Sequence, residues 1–238
     1  MNAPFVFKQF TVEQDRCAMK IGTDGVLLGA WTPIPKETAS ILDIGAGTGI
    51  ISLMAAQRSY AEVIDAIEID TDAYEQTVEN FESSPWGDRL FCYHASFQEF
   101  VAEIDEQYDL LISNPPFFAE DYKTSNKKRD MARFEDALPF EHLLAGATKL
   151  LSDHGNLALI LPYKQEQRIV TLANQLKLYP EKITRVKGTP TSEIKRSLLF
   201  FGRHKEKSCE INELIIENSR HNYTDDYTLL TKDFYLKM

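Results

Sequence analysis

Asn114-Pro115-Pro116-Phe117 joins an amide, a proline-stiffened backbone and an aromatic face in four consecutive residues. Those groups suit an exocyclic amine conjugated to a carbonyl or a heteroaromatic ring, a poor nucleophile because its lone pair is delocalised. The Asn114 side-chain carbonyl and the Pro115 main-chain carbonyl can each accept one N–H of such an amine. Holding both hydrogens favours a pyramidal nitrogen whose lone pair faces an electrophile, a form of electrostatic preorganisation. The Phe117 ring offers a flat face for a planar substrate, worth ~1–3 kcal/mol for a nucleobase. A plain proline-rich loop after a strand is the competing reading of the same four residues, so the rest of the chain has to decide.

A second group of residues suits a nucleotide-like ligand. Gly45, Gly47 and Gly49 form a glycine-rich turn in which backbone amides can approach an anionic or polar group closely. The dinucleotide fingerprint needs its third glycine one position later, where this chain has Ile50. Glu68 lies 19 residues beyond Gly49, where a carboxylate can take both hydroxyls of a ribose. S-adenosyl-L-methionine fits this pattern better than NAD: its adenosine needs Glu68 and an apolar slot, and its methionine end lies over the glycine turn. A sulfonium electrophile needs no general base, in keeping with the lack of His or Glu in the Asn114 motif.

The elements that must position these groups follow from local pattern. Residues 109–113 read as a short buried strand that the prolines end at Asn114. The carboxyl edge of an open α/β sheet, where Asn114 then sits, is where ligands bind. Strands over 40–44, 63–69 and 90–94 alternate with helices over 50–57, 71–81 and 97–104, the signature of a parallel sheet covered on both faces. The glycine turn, Glu68 and Asn114 then face one cleft.

Residues 119–136 form a polar, basic loop of the length usually kept for a lid or binding loop. A helix over 139–151, a strand over 155–162 and a helix over 163–178 follow. Strands over 181–186 and 197–202, a further edge strand over 211–217 and a helix over 227–236 complete the chain. Residues 1–20 read as a hairpin or arm, and Thr23 or Asp24 as the cap of a short helix. With no repeat or linker, residues 1–238 are expected to form one domain, with 1–35 its arm and covering helix.

Composition narrows the classes. The net charge of −10 argues against a general nucleic-acid binder. The charge is uneven, however: residues 123–133 carry a net +4, residues 182–207 a net +6. Such segments allow a local polyanion contact, or simply form a solvated loop and a lysine-protected strand edge. Three cysteines without metal-like spacing predict reduced thiols and no metal site. No apolar run approaches a membrane span, and the first residues lack a secretion signal, so a cytoplasmic protein is expected.

Leu42-Asp43-Ile44-Gly45-Ala46-Gly47-Thr48-Gly49 with Asn114-Pro115-Pro116-Phe117 resembles class I amino-methyltransferases. Phe7-Lys8-Gln9-Phe10, the stretches 15–20 and 22–31, Ser84-Pro85-Trp86 and Asp233-Phe234-Tyr235-Leu236 extend the likeness to nearly the whole chain. They resemble the bacterial tRNA1(Val) adenine-N6 methyltransferase family. The resemblance implies a Rossmann-like α/β fold with a seven-stranded sheet, its last strand antiparallel, and a small N-terminal extension. It implies N6 methylation of adenosine 37, just 3′ of the anticodon. Asn114, Pro115 and Phe117 would bind the target base, and Asp43, Gly45, Gly47, Glu68 and Asn114 the cofactor. The segment from Lys20 through Gly22 to Thr23 would close over the methionine end. Many relatives end their third strand on an acid that binds the cofactor's adenine; here Ser96 stands instead. Phe117 replaces the commoner Tyr.

Three other functions remain open. A protein glutamine N5-methyltransferase could use the same amide trap, although only about 40 residues precede the glycine turn, too few for the helical substrate domain of those enzymes. A guanine-N2 rRNA methyltransferase likewise lacks its usual extra domain here. A non-catalytic RNA-binding or chaperone module is supported only by Ser96. In the tRNA reading, segments 123–133 and 182–207 hold phosphates of the anticodon stem-loop.

Overall fold

The computed structural model describes residues 3–116, 138–205 and 208–237. Phe117 and the basic stretch 123–133 lie outside these.

The arm is a two-residue hairpin, β1 (Phe5–Val6) against β2 (Thr11–Val12), followed by helix α1 (Thr23–Trp31). Then come β3 (Ser40–Ile44), α2 (Ile50–Arg58), β4 (Val63–Glu68), α3 (Thr71–Glu82), β5 (Leu90–His94), α4 (Phe97–Glu103) and β6 (Tyr108–Ser113). The second half holds α5 (Phe140–Leu150), β7 (Leu151–Pro162), α6 (Glu166–Gln175), β8 (Tyr179–Lys187), β9 (Ile194–Gly202) and β10 (Glu210–Ile215). A small ladder of β11 (Glu217–Ser219) with β12 (Asn222–Tyr223) and helix α7 (Asp225–Thr231) end the chain.

The sheet order is β10-β8-β9-β7-β6-β3-β4-β5. Strands β5, β4, β3, β6 and β7 run parallel, and β9 is antiparallel to both its neighbours. The seven expected strands are present with the seventh, β9, reversed. The sheet nevertheless has eight strands, which corrects the expected count: β10, read in the sequence only as a further edge strand, pairs in parallel with β8. The strand order turns back beside β3, because β4 and β5 lie on one side of it and β6 on the other. Such a switch point opens a crevice at the carboxyl edge.

Successive side chains on each strand enter opposite cores. Ile41, Leu110, Ile112, Ala158 and Ile160 pack with α1 and α2, whereas Leu42, Leu111, Leu157, Leu159 and Leu161 pack with α5 and α6. Central strands buried on both faces carry nearly continuous apolar runs, as these do. Leu111 is fully buried, and truncation to alanine should cost about 2–5 kcal/mol.

Two boundaries differ most from the expected ones. Strand β7 starts at Leu151, not at residue 155, because Gly155 sits within the strand where the register with β6 shifts. A Cβ there would lie 2.8 Å from the Tyr108 carbonyl oxygen, so this glycine marks a bulge, not a break. Helix α7 stops at Thr231 instead of 236. The tail after it pairs with the arm: the Lys8 amide donates to the Phe234 carbonyl at 2.8 Å, and Tyr235 bridges to Phe7.

Candidate functional site

The glycine turn leaves β3 between Ile44 and α2. Gly45, Gly47 and Gly49 all have positive φ (79°, 59° and 76°), a region that side-chain-bearing residues avoid. At Gly49 the demand is also steric, since a Cβ would stand 2.6 Å from the Phe81 ring. At Gly45 and Gly47 a Cβ would meet nothing within 4 Å. The backbone there is bare because open space lies above it.

Glu68, the last residue of β4, faces that turn. One carboxylate oxygen accepts the Gly47 amide at 2.8 Å, and the other accepts the Ile69 and Asp70 amides at 2.9 Å each. The acid is therefore aimed by three backbone donors before any ligand arrives. Ser113, the last residue of β6, donates its hydroxyl to the Ile44 carbonyl at 2.8 Å. That bond fixes the end of β6, and hence Asn114, beside the start of the glycine turn.

Between these elements lies a cavity of about 420 Å³. Gly45, Gly47 and Glu68 line one side, and Asn114, Pro115 and Pro116 the other. Ile67, Ala73, Phe97 and Leu138 supply an apolar slot, and Ser96 lies on the wall. Asn114 is half-buried and Pro115 buried. Of the expected base-binding residues, the structure thus brings Asn114 and Pro115 to the glycine turn; Phe117 lies outside the described residues.

Asp43 sits directly beneath, on β3, with no solvent exposure. One of its carboxylate oxygens accepts the Ser52 amide (3.2 Å) and hydroxyl (2.8 Å); the other is buried without a partner. Burial pushes its pKa up to about 7, opposed by the Ser52 hydrogen bonds and reinforced by the charge of Glu68. An orphaned buried carboxylate oxygen beneath a glycine turn suits a ligand bearing positive charge. The bare turn, the aimed Glu68 and this oxygen together fit S-adenosyl-L-methionine, whose amine and sulfonium are cationic.

Other expected positions are placed differently. Ser96 caps α4 in a reciprocal box with Glu99: its hydroxyl donates to the Glu99 carboxylate at 2.7 Å and accepts the Glu99 amide at 3.2 Å. Its proton is thus committed, leaving it only acceptor capacity toward the cavity. Lys20, Gly22, Thr23 and the buried Asp43 do not line the cavity, whereas Cys17, Ala18 and Met19 do. Lys20 instead points its ammonium back at the Gln14 and Cys17 carbonyls. Gly22, not Thr23 or Asp24, caps α1. The sequence carried no signal for residues 17–19, because an irregular segment has no periodicity to read.

The Cys17 thiol donates to the Gly47 carbonyl at 3.2 Å, and burial pushes its pKa up to about 11, so it remains a protonated donor. Among the described residues, no cluster of three or more His, Cys, Asp or Glu could hold a metal ion.

The positive segment 182–207 is largely committed internally. Arg185 grips Glu166 through two nitrogens, at 2.7 and 3.2 Å. Arg196 pairs with Asp24 at 2.7 Å, and Lys187 with Glu213 at 2.9 Å. Arg203 donates to the Thr148, Leu151 and Ser152 carbonyls. Lys195 is exposed.

Comparison with known proteins adds an independent line. A family model described as "Methyltransferase small domain" matches residues 26–184. The tRNA1(Val) (adenine(37)-N6)-methyltransferase of Flavobacterium johnsoniae is 63% identical over 98% of this chain and 100% of its own length. The enzyme of the same name from Bacteroides fragilis is 44% identical over 100% of both. Among solved structures, a predicted O-methyltransferase from Agrobacterium tumefaciens superposes with a TM-score of 0.69 at 20% identity, covering 89% of this chain and 96% of that one. P. horikoshii TYW2, solved in complex with MeSAdo, superposes at 0.58 and 14% identity over 84% of this chain and 70% of its own. These two likenesses speak for the fold.

Proposed function

The chain belongs to the tRNA1(Val) (adenine(37)-N6)-methyltransferase family, and from that membership we propose that it methylates N6 of adenosine 37, 3′ of the anticodon, in tRNA1(Val). The observation that carries the reading is that Asn114 and Pro115 share one cavity with Gly45, Gly47 and Glu68 at the switch point of the sheet.

S-adenosyl-L-methionine supplies a methyl group made electrophilic by its sulfonium. Glu68 would take a ribose hydroxyl on the oxygen that accepts the Gly47 amide, where one lone pair is still free; its other oxygen already accepts the Ile69 and Asp70 amides. The bare backbone of Gly45 and Gly47 would receive the methionine end, and the buried carboxyl of Asp43 beneath them would favour its positive charge without touching it. Ser96 offers its remaining lone pair to the adenine amine.

Asn114 and Pro115 hold the target. Adenosine 37 lies in an anticodon loop, where a base is readily unstacked and swung into a pocket. The Asn114 side-chain oxygen and the Pro115 carbonyl each accept one N6–H, aiming the nitrogen lone pair outward, and Phe117 stacks on the ring. The nitrogen would gain a bond to the methyl carbon while the carbon–sulfur bond breaks, its electron pair staying on sulfur, and the one proton released would leave to water, so no side-chain base is needed.

The exposed lysines of segment 182–207, Lys195 among them, and the basic stretch 123–133 hold tRNA phosphates. The whole chain acts as one methyltransferase unit, and its tRNA substrate sets its work in the cytoplasm. Radiolabelled methyl transfer to unmodified tRNA, followed by nucleoside analysis, tests the reading. Label in N6-methyladenosine is expected; label in a methylguanosine, or none, would overturn it.

A further inference from the structure

Three polar side chains of α3 are buried where a solvated helix face would be expected. Gln76 and Asn80 are each 2% exposed, and Thr77 is fully buried. Their spacing sets them on one side of the helix. Each is hydrogen-bonded, and every partner lies either in the N-terminal arm or in the glycine turn.

Asn80 bridges the two. Its side-chain oxygen accepts the Glu13 amide at 2.8 Å, while its NH2 donates to the Glu13 carbonyl and to the Thr48 carbonyl, both at 2.9 Å. Gln76 accepts the Arg16 amide at 2.9 Å, and Thr77 donates to the Gly47 carbonyl at 2.8 Å. Arg16 also forms ion pairs with Glu75 and Glu79 on the outer side of the same helix. Upstream, Phe10 packs edge-on to Trp86 at 5.9 Å, beyond the end of α3. The chain leaving Arg16 becomes Cys17-Ala18-Met19, the arm's contribution to the cavity wall.

We infer that Asn80 and Gln76 are positioning residues: they lock residues 13–16 of the arm against the glycine turn, and so hold Cys17–Met19 in place as a wall of the cofactor site. A buried amide that satisfies an arm amide, an arm carbonyl and a turn carbonyl at once gives this contact a single geometry, because any displacement of the arm leaves buried polar groups unpaired. The inference rests on reading the cavity as a cofactor site. It assigns the lock to cofactor affinity and not to the methyl-transfer step, which Asn114 and Pro115 serve.

Asn80→Asp keeps the acceptor and loses both donated bonds, and Gln76→Met keeps the volume and loses the acceptor for Arg16. Both variants should raise the Kd for S-adenosylhomocysteine at least fivefold by titration calorimetry, with kcat at saturating cofactor within threefold of the parent. A Kd within twofold of the parent in the folded variants, or a fall in kcat with Kd unmoved, would overturn the inference. The unaltered chain gives a second readout. Trypsin cleavage after Arg16 and Lys20 should slow at least fivefold when S-adenosylhomocysteine saturates the protein, and an unchanged rate counts against the lock. An unaltered chain that binds no S-adenosylhomocysteine would instead defeat the cofactor reading beneath it, which separates the two failures.

Discussion

The amide of Gly47 donates to the carboxylate of Glu68 at 2.8 Å, joining the turn after one strand to the last residue of the next. Because β3 and β4 are parallel and adjacent, both ends emerge on the same edge, and the acid becomes part of the turn's own framework. Glu68 therefore has two tasks, shaping the turn and facing the cavity.

Glu68→Gln should damage both. The amide NH2 would meet backbone N–H groups where a carboxylate oxygen now accepts them. A charge-assisted bond is worth about 1.5–3 kcal/mol, so cofactor affinity should fall roughly tenfold to a hundredfold by the usual conversion. Calorimetric titration with S-adenosylhomocysteine checks this; a Kd unchanged within twofold would contradict it.

Asn114→Ala should leave a folded protein with greatly reduced kcat. Loss of one preorganised polar group at a reacting centre typically costs about 10²–10³ in rate. Cofactor binding should persist, weakened at most severalfold. Full methyl transfer by this variant would remove Asn114 from the chemistry, and an RNA chaperone would not notice the change.

Phe117→Ala and Phe117→Tyr separate stacking from hydrogen bonding. Loss of the ring should weaken RNA substrate binding by about 1–3 kcal/mol, read as KM for tRNA. Tyrosine retains the ring and should behave like the parent. Equal KM values in all three proteins would deny the stacking role.

Lys127, Lys128 and Arg129 together changed to alanine should reduce tRNA affinity and flatten its dependence on salt, since fewer counterions are released on binding. S-adenosylhomocysteine affinity should not move. Filter binding at two ionic strengths gives the answer, and an unaltered salt slope would exclude this stretch from the RNA contact.

Asp43 links the site to stability. Its folded pKa is raised from an ordinary 3.8 to about 7, so the folded chain holds that proton more tightly than the unfolded chain. The group's contribution is fully present at pH values below the unfolded pKa, erodes as pH rises, and is lost above about 7. The difference corresponds to roughly 4 kcal/mol of strain from a buried charge. Asp43→Asn should therefore gain in Tm relative to the parent between pH 4 and pH 7, and gain no more beyond. A Tm difference independent of pH would show that the carboxyl is not destabilised by burial.

The alternation of strands and helices, the bareness of the glycine turn and the stop at Asn114 were legible in the sequence because each obeys a short-range rule. Short continuous apolar runs, positive φ at glycine and the missing proline N–H all act within a few residues. The same rules misled at Gly155, where glycine marked a bulge against the Tyr108 carbonyl and not the start of a strand. They also left Arg185, Lys187 and Arg196 as open positive charge, when Glu166, Glu213 and Asp24 neutralise them.

The sequence by itself determined which groups could do the chemistry: an amide before two prolines, three spaced glycines and an acid at a strand end. Tertiary structure alone decided that residues 17–19, and not 20–23, wall the cavity, that Asp43 keeps one oxygen unpaired, and that Gln76 and Asn80 face the arm. The physical reason is separation along the chain. Asn80 meets Glu13 across 67 residues and Thr48 across 32, and no local preference encodes a hydrogen bond whose partners are brought together only by packing.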